Sequence, residues 1–221
     1  VSDRPILFSA PMVRALLAGT KTQTRRVLKP QPHFANVWQD EDTLDWWQSG
    51  HGEADDDPIH IRIQRGDALW VREAWRAFAG MDGTKPRDLW APGCGHGAGV
   101  LYEADCDGLA LTKEGERWTG ARTEHRNAFG KLRPSMFMPR WASRLTLAVT
   151  DVRVQRLQDI SEEDARSEGA LVEYGEGANI SERRAFNLIW EHINGAGSWA
   201  ANPWVTATTF AVERRNIDGE G

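Results

Sequence analysis

The stretch Gly66-Asp67-Ala68-Leu69-Trp70-Val71-Arg72-Glu73-Ala74-Trp75 restricts the fold more than any other. Gly-Asp marks a tight turn, and the residues after it alternate as a pleated strand requires. Alternation puts Leu69, Val71, Glu73 and Trp75 on one side and Trp70, Arg72, Ala74 and Arg76 on the other. Glu73 therefore falls in phase with apolar side chains. A carboxylate in that position either has a cationic partner or has its pKa raised by lost hydration, and both conditions concentrate at functional sites. The structural alternative is a Glu73 that pairs with a nearby arginine and merely holds the domain together.

The rest of the chain mixes the periods of strands and helices, which predicts an α+β fold. Pro5-Ile6-Leu7-Phe8 reads as a short buried strand. Pro11 suits the first turn of a helix carrying Val13, Leu16 and Leu17 on one face, with Gly19 as its stop. The segment Gly19-Thr20-Lys21-Thr22-Gln23-Thr24-Arg25-Arg26 then runs from loop into strand. Ile59, Ile61 and Ile63 alternate with His60, Arg62 and Gln64, and Val100 to Ala104 forms another strand. Leu145, Leu147 and Val149 alternate, but Val152 and Val154 continue in the opposite phase, so a bulge or turn is expected near Thr150-Asp151. Ser161 with Asp164 signals the start of a short helix ending near Gly169. A second helix follows Ser181, with Phe186, Ile189, Trp190 and Ile193 at helical spacing and Asn194-Gly195 as its stop. A last strand carries Trp204, Thr206, Thr208, Phe210 and Val212 on one side. Residues 30–58 show no sustained period and residues 77–98 and 107–133 are rich in Gly, Pro and charge, so all three read as loop insertions in a single domain over 1–215, with 216–221 as a disordered tail.

Length and composition fit this reading, since 221 residues that are 40% hydrophobic suffice for one well-cored domain. No apolar run approaches the roughly 18 residues that span a bilayer, and the N-terminus lacks a signal pattern, so a cytoplasmic protein is expected. Two cysteines, Cys94 and Cys106, make no disulfide framework. The net charge of −5 argues against a nucleic-acid partner until its distribution is considered. Residues 30–58 hold eight acids and no Lys or Arg, which leaves 24 acids against 27 bases elsewhere. Eleven tryptophans, many beside arginine or proline, suit base stacking as well as core filling.

The segment from Gly19 to Arg26, paired with the later Gly-Asp-x-Leu-x-Val-x-Glu strand, resembles the ASCH domain family of the PUA-like small β-barrels. The resemblance extends to Pro5–Phe8, to Ile160-Ser161-Glu162-Glu163-Asp164-Ala165 with Gly169, and to Phe186–Phe210. Met138-Pro139-Arg140-Trp141-Ala142-Ser143-Arg144 resembles the phage and prophage branch. The resemblance implies a small barrel with flanking helices and long loop insertions, directed at RNA or a modified nucleoside, without a cofactor. It also implies hydrolysis of an N-acylated nucleobase such as N4-acetylcytidine. By that resemblance Thr24 would attack the acyl carbonyl, Lys21 would activate Thr24, and Glu73 would pass a proton to the leaving amine. That division of labour suits the residue types, because a threonine hydroxyl needs activation and a desolvated lysine holds its proton weakly.

Arg25, Arg26 and Arg72 are candidates for binding substrate or stabilising an oxyanion, and Trp75, Arg140 and Trp141 for stacking or lining a cleft rim. A non-catalytic RNA- or nucleoside-binding module is the rival reading. A metal-independent ribonuclease using Lys21 and Glu73 as base and acid is a third. Cys94, His96, Cys106 and His125 are the residue types of a zinc site, but their spacing matches no standard ligand set and no metal is expected. The zinc-deaminase and Walker-type motifs are absent.

Overall fold

The computed structural model describes residues 2–33, 36–49, 56–89, 98–105, 108–111, 117–119, 129–170 and 180–219. In chain order the elements are β1 (Asp3–Leu7), α1 (Ala10–Ala18), β2 (Gln23–Val27), β3 (Asn36–Gln39), β4 (Trp46–Ser49), β5 (Asp57–Ile59), β6 (Ala68–Arg72) and β7 (Trp75–Ala77). There follow β8 (Ala98–Tyr102), β9 (Gly108–Leu111), β10 (Arg117–Thr119), β11 (Thr146–Arg156), α2 (Glu162–Ser167), α3 (Glu182–Asn194) and β12 (Trp204–Glu213). The fold is thus mixed α+β, with three α-helices and several sheets among the described residues. None of these helices is long and apolar enough to cross a membrane. Contacts group the chain into two units, one of residues 19–67 and 149–211, the other of residues 2–18, 68–148 and 212–221.

In the first unit, β2 lies beside β12, which lies beside β11. β12 and β2 are antiparallel, with Gln23 opposite Thr209, Thr24 opposite Thr208 and Arg25 opposite Ala207. Leu28, Val154 and Trp204 form a core cluster against which Val37, Trp46, Ile59 and Ile61 pack. Most of those partners come from a small antiparallel sheet of order β3-β4-β5. The stretch expected to be a loop insertion at 30–58 therefore contains strands. They are three or four residues long, too short to show a period, and β3 and β4 pair Trp38 with Trp47 so that the rings stack at 6.3 Å. Conversely, the Ile59–Ile63 strand stops at Ile59, although the expected half-buried and exposed alternation persists beyond it. In β11 the change of phase is absorbed inside one unbroken strand, where Thr150 and Asp151 are both exposed.

The two helices of this unit carry the caps that their sequences call for. Ser161 accepts a bond from the Asp164 N–H at 3.0 Å and Ser181 one from the Arg184 N–H at 3.3 Å. Gly169 (φ 76°) and Gly195 (φ 96°) follow the helices in the left-handed region that favours glycine. In α3, Phe186, Ile189 and Trp190 are buried as the spacing predicts, while Ile193 in the last turn is exposed.

In the second unit, β1 runs parallel to β6 and β6 antiparallel to the start of β11, with Ile6 opposite Val71 and Trp70 opposite Thr146. The predicted strand from Leu69 to Trp75 divides at Glu73-Ala74 into β6 and β7, because β7 leaves to join a second sheet of order β10-β9-β8-β7. The stretches expected to be insertions at 77–98 and 107–133 thus supply parts of β7 to β10. Trp75, Tyr102, Met138 and Ala142 pack in its core with Trp141 against them. Asn216–Gly219, expected to begin a disordered tail, is tied down. The buried Asn216 amide donates to the carbonyls of Arg140 (2.9 Å), Trp141 (3.1 Å) and Ser143 (2.7 Å).

Candidate functional site

Strand β2 and the residues before it carry two buried cations, Lys21 and Arg25. Lys21 is completely buried and Arg25 is 4% exposed. Pleating sends Lys21, Gln23 and Arg25 to one side, where they meet helix α2 and the residue that ends it, Glu168. The Lys21 ammonium donates three hydrogen bonds, to the Gln23 carbonyl, the Glu168 carbonyl and Glu168 Oε2, each 2.9 Å long. Arg25 reaches Glu168 Oε1 at 3.1 Å and Asp164 Oδ2 at 2.8 Å, and it donates to the Gln23 amide oxygen. Gln23 in turn donates to Asp164 Oδ1 at 3.2 Å and to the Thr209 hydroxyl at 3.1 Å.

Burying an ammonium and a guanidinium together costs several kcal/mol for each ion, so carboxylates at hydrogen-bond distance are required. Burial pushes the Lys21 pKa below its ordinary value, and the charge and hydrogen bond of Glu168 offset only part of that. Burial acts the opposite way on Asp164, but Arg153, Arg25 and Gln23 outweigh it and hold that carboxyl below the usual range. The backbone is also fixed, since Lys21 and Glu168 form an antiparallel bridge and the Thr22 N–H donates to the Ser167 carbonyl at 2.8 Å.

Thr24 leaves β2 on the other face, beside Thr208, and is 3% exposed. Lys21, expected to activate Thr24, is connected to it through the backbone. The Lys21 ammonium holds the Gln23 carbonyl, which belongs to the peptide group joining Gln23 to Thr24. Arg26, also on the Thr24 face, is exposed.

The remaining candidates lie in the second unit. Glu73 is 1% exposed and accepts two bonds from Arg144, at 2.8 and 2.9 Å. Arg144 holds Asp105 by two further bonds, at 2.8 and 2.9 Å, and its guanidinium lies 4.0 Å from the centre of the Tyr102 ring. Trp75 is fully buried in the core with the Arg133 guanidinium 5.3 Å from its ring, so it fills space instead of presenting a face to a base. Arg140 is engaged by Asp218 and Asp3, and Trp141 packs on the core cluster. Arg72 stacks 4.5 Å over Trp70 and donates to the Met136 carbonyl at 3.2 Å. Met136 and Phe137 beside it are more than half exposed. The structure thus brings Lys21 and Arg25 together on Glu168, and it places Glu73 in a separate carboxylate and guanidinium pair within the other unit.

Sequence reasoning missed Glu168 and Arg144 as partners. A buried lysine and a carboxylate in phase with apolar residues each demand an opposite charge, and both partners sit in segments already noted for other reasons. The candidate zinc residues Cys94, His96, Cys106 and His125 lie outside the described residues. Among the described residues no group of His, Cys, Asp and Glu is arranged to hold a metal. A cavity of about 320 Å³ in the first unit is lined by Leu44, Trp46, Ile59, Ile61, Ile63 and Asp151 among others, and by none of the candidate site residues. No family model, curated protein or solved structure matches the chain.

Proposed function

We propose that this chain is an RNA- or nucleoside-directed protein of the ASCH type, PUA-like in plan, that hydrolyses an N-acylated nucleobase such as N4-acetylcytidine. The resemblance at Lys21, Thr24 and Glu73 supplies the chemistry. The observation that supports it is the charged clamp on β2, in which a fully buried lysine with a lowered pKa holds the peptide that leads into Thr24. Perturbed titratable groups of this kind concentrate at functional sites.

In this reading the Thr24 hydroxyl adds to the acyl carbonyl. The amide C–N bond then breaks, the hydroxyl proton ends on the departing amine, and water cleaves the resulting ester. Lys21 acts on Thr24 through the Gln23–Thr24 peptide, whose carbonyl its ammonium holds. Glu73 enters through the resemblance alone. Incubation of the protein with N4-acetylcytidine and chromatography of the products tests the reading. Cytidine formed by wild type, and not by Thr24→Ala, is the expected result.

The rival reading, a binding module without catalysis, is favoured by a different observation. Arg72 stacked on Trp70, next to the exposed Met136 and Phe137, has the mixed guanidinium and apolar character that unstacked bases pack against. Single-stranded RNA binding that falls with salt and is weakened by Phe137→Ala, in a protein that releases no cytidine, decides for the module.

A further inference from the structure

Glu168 holds both Lys21 and the buried Arg25 of β2. Its Oε2 accepts from Lys21 and its Oε1 from Arg25, and its backbone carbonyl takes a second bond from Lys21. Those two cations flank Thr24 in sequence, and each also engages Gln23, Lys21 through the backbone carbonyl and Arg25 through the side-chain amide. We propose that Glu168 is the positioning residue of Thr24, fixing from α2 the two cations on either side of it so that the hydroxyl is held on the opposite face of the strand. The proposal rests on the reading of Thr24 as the reacting group.

The geometry leaves Glu168 little freedom. It caps the C-terminal end of α2, its N–H donates to the Asp164 carbonyl at 3.0 Å, and the left-handed Gly169 turns the chain immediately after it. Its side chain is 5% exposed. Asp164, one turn earlier, takes Arg25, Gln23 and Arg153 and so anchors the far end of the clamp. The charged groups facing Glu168 are thus Lys21 and Arg25, with Asp164 and Arg153 behind Arg25 and the charge of Arg26 also felt at the site. Replacing Glu168 with glutamine keeps an oxygen for one cation but removes the charge that compensates both. Lys21 then loses the partner that holds its proton, and the peptide entering Thr24 loses its anchor.

The test compares wild type, Glu168→Gln and the double variant Lys21→Met/Glu168→Gln. Amide hydrogen exchange over Gln23–Val27 is expected to accelerate at least about tenfold in Glu168→Gln relative to wild type, with β1 and β6 exchanging as before. Turnover of N4-acetylcytidine is expected to fall through kcat by at least about tenfold with KM nearly unchanged, because Glu168 acts through its neighbours and touches no substrate. The double variant removes both charges and should recover global stability toward wild type without recovering kcat. Wild-type exchange rates over Gln23–Val27 in Glu168→Gln, or a kcat restored by the double variant, would overturn the positioning role. A wild-type protein that hydrolyses nothing sinks the catalytic reading instead, and the exchange comparison still decides whether Glu168 holds the strand.

Discussion

Replacing Glu73 with glutamine tests how much of the second unit depends on a single carboxylate. The Glu73 side chain is 2% exposed and accepts two bonds from Arg144 in a fork, at 2.8 and 2.9 Å. Bonds to charged groups contribute about 1.5–3 kcal/mol each. Glutamine keeps one acceptor oxygen, turns an amine toward the guanidinium in place of the other, and cancels the negative charge. Loss of one partner of a buried pair costs about 3–5 kcal/mol. Here Arg144 keeps two bonds to Asp105, whose side chain is 32% exposed, so part of the compensation survives. The expected loss is therefore about 2–4 kcal/mol. Urea unfolding of wild type, Glu73→Gln, Glu73→Leu, Arg144→Met and the double variant Glu73→Leu/Arg144→Met measures it, the last three closing a double-mutant cycle. The double variant should cost less than the sum of the singles, since it leaves no buried charge unpaired. A loss below about 0.5 kcal/mol for Glu73→Gln, or strict additivity, would refute the argument that this pair is structurally coupled.

Three further outcomes follow from the same structure. Lys21 has a lowered pKa in the folded chain, so the unfolded chain binds that proton more tightly, and stability rises with pH between the lowered value and 10.5. The stability difference between wild type and Lys21→Met should grow with pH across that window, and a constant difference would contradict the burial assigned to Lys21. Asp164 has the opposite linkage. Its depressed pKa contributes stability above the unfolded value of 3.8 that is lost as pH falls through the folded value, so Asp164→Asn should flatten the acid end of the stability profile. Asn216→Ala removes the donor shared by three carbonyls and should cost about 1–3 kcal/mol in thermal or urea unfolding.

The helices were legible in the sequence because their signals are local. Ser161 and Ser181 cap, Gly19, Gly169 and Gly195 stop, and the Phe186, Ile189 and Trp190 spacing marks the buried face. The alternation in Ile59–Ile63 revealed which side chains are half-buried, but not that the strand pairing ends at Ile59. Pairing depends on a neighbour, and no window of sequence contains the neighbour. The same limit hid the division of β6 from β7 at Glu73-Ala74 and the short sheet within residues 30–58. At the site, the unusual phase of Glu73 pointed to a buried carboxylate with a partner, but Arg144 lies 71 residues away in the chain. Lys21 and Glu168 are 147 residues apart. Burial was readable from pattern, whereas the identity of the compensating charge was not. The direction of Thr24 followed from the pleat alone, whereas the hold of Glu168 on Lys21 and of Asp164 on Arg25 depends on a distant segment.

Turnover of N4-acetylcytidine by wild type beside Thr24→Ala and Thr24→Ser is the measurement closest to the central claim. Wild type should release cytidine, Thr24→Ala none above background, and Thr24→Ser a partial amount, since it restores a hydroxyl at the same backbone position. Cytidine released at the wild-type rate by a folded Thr24→Ala protein would contradict that claim.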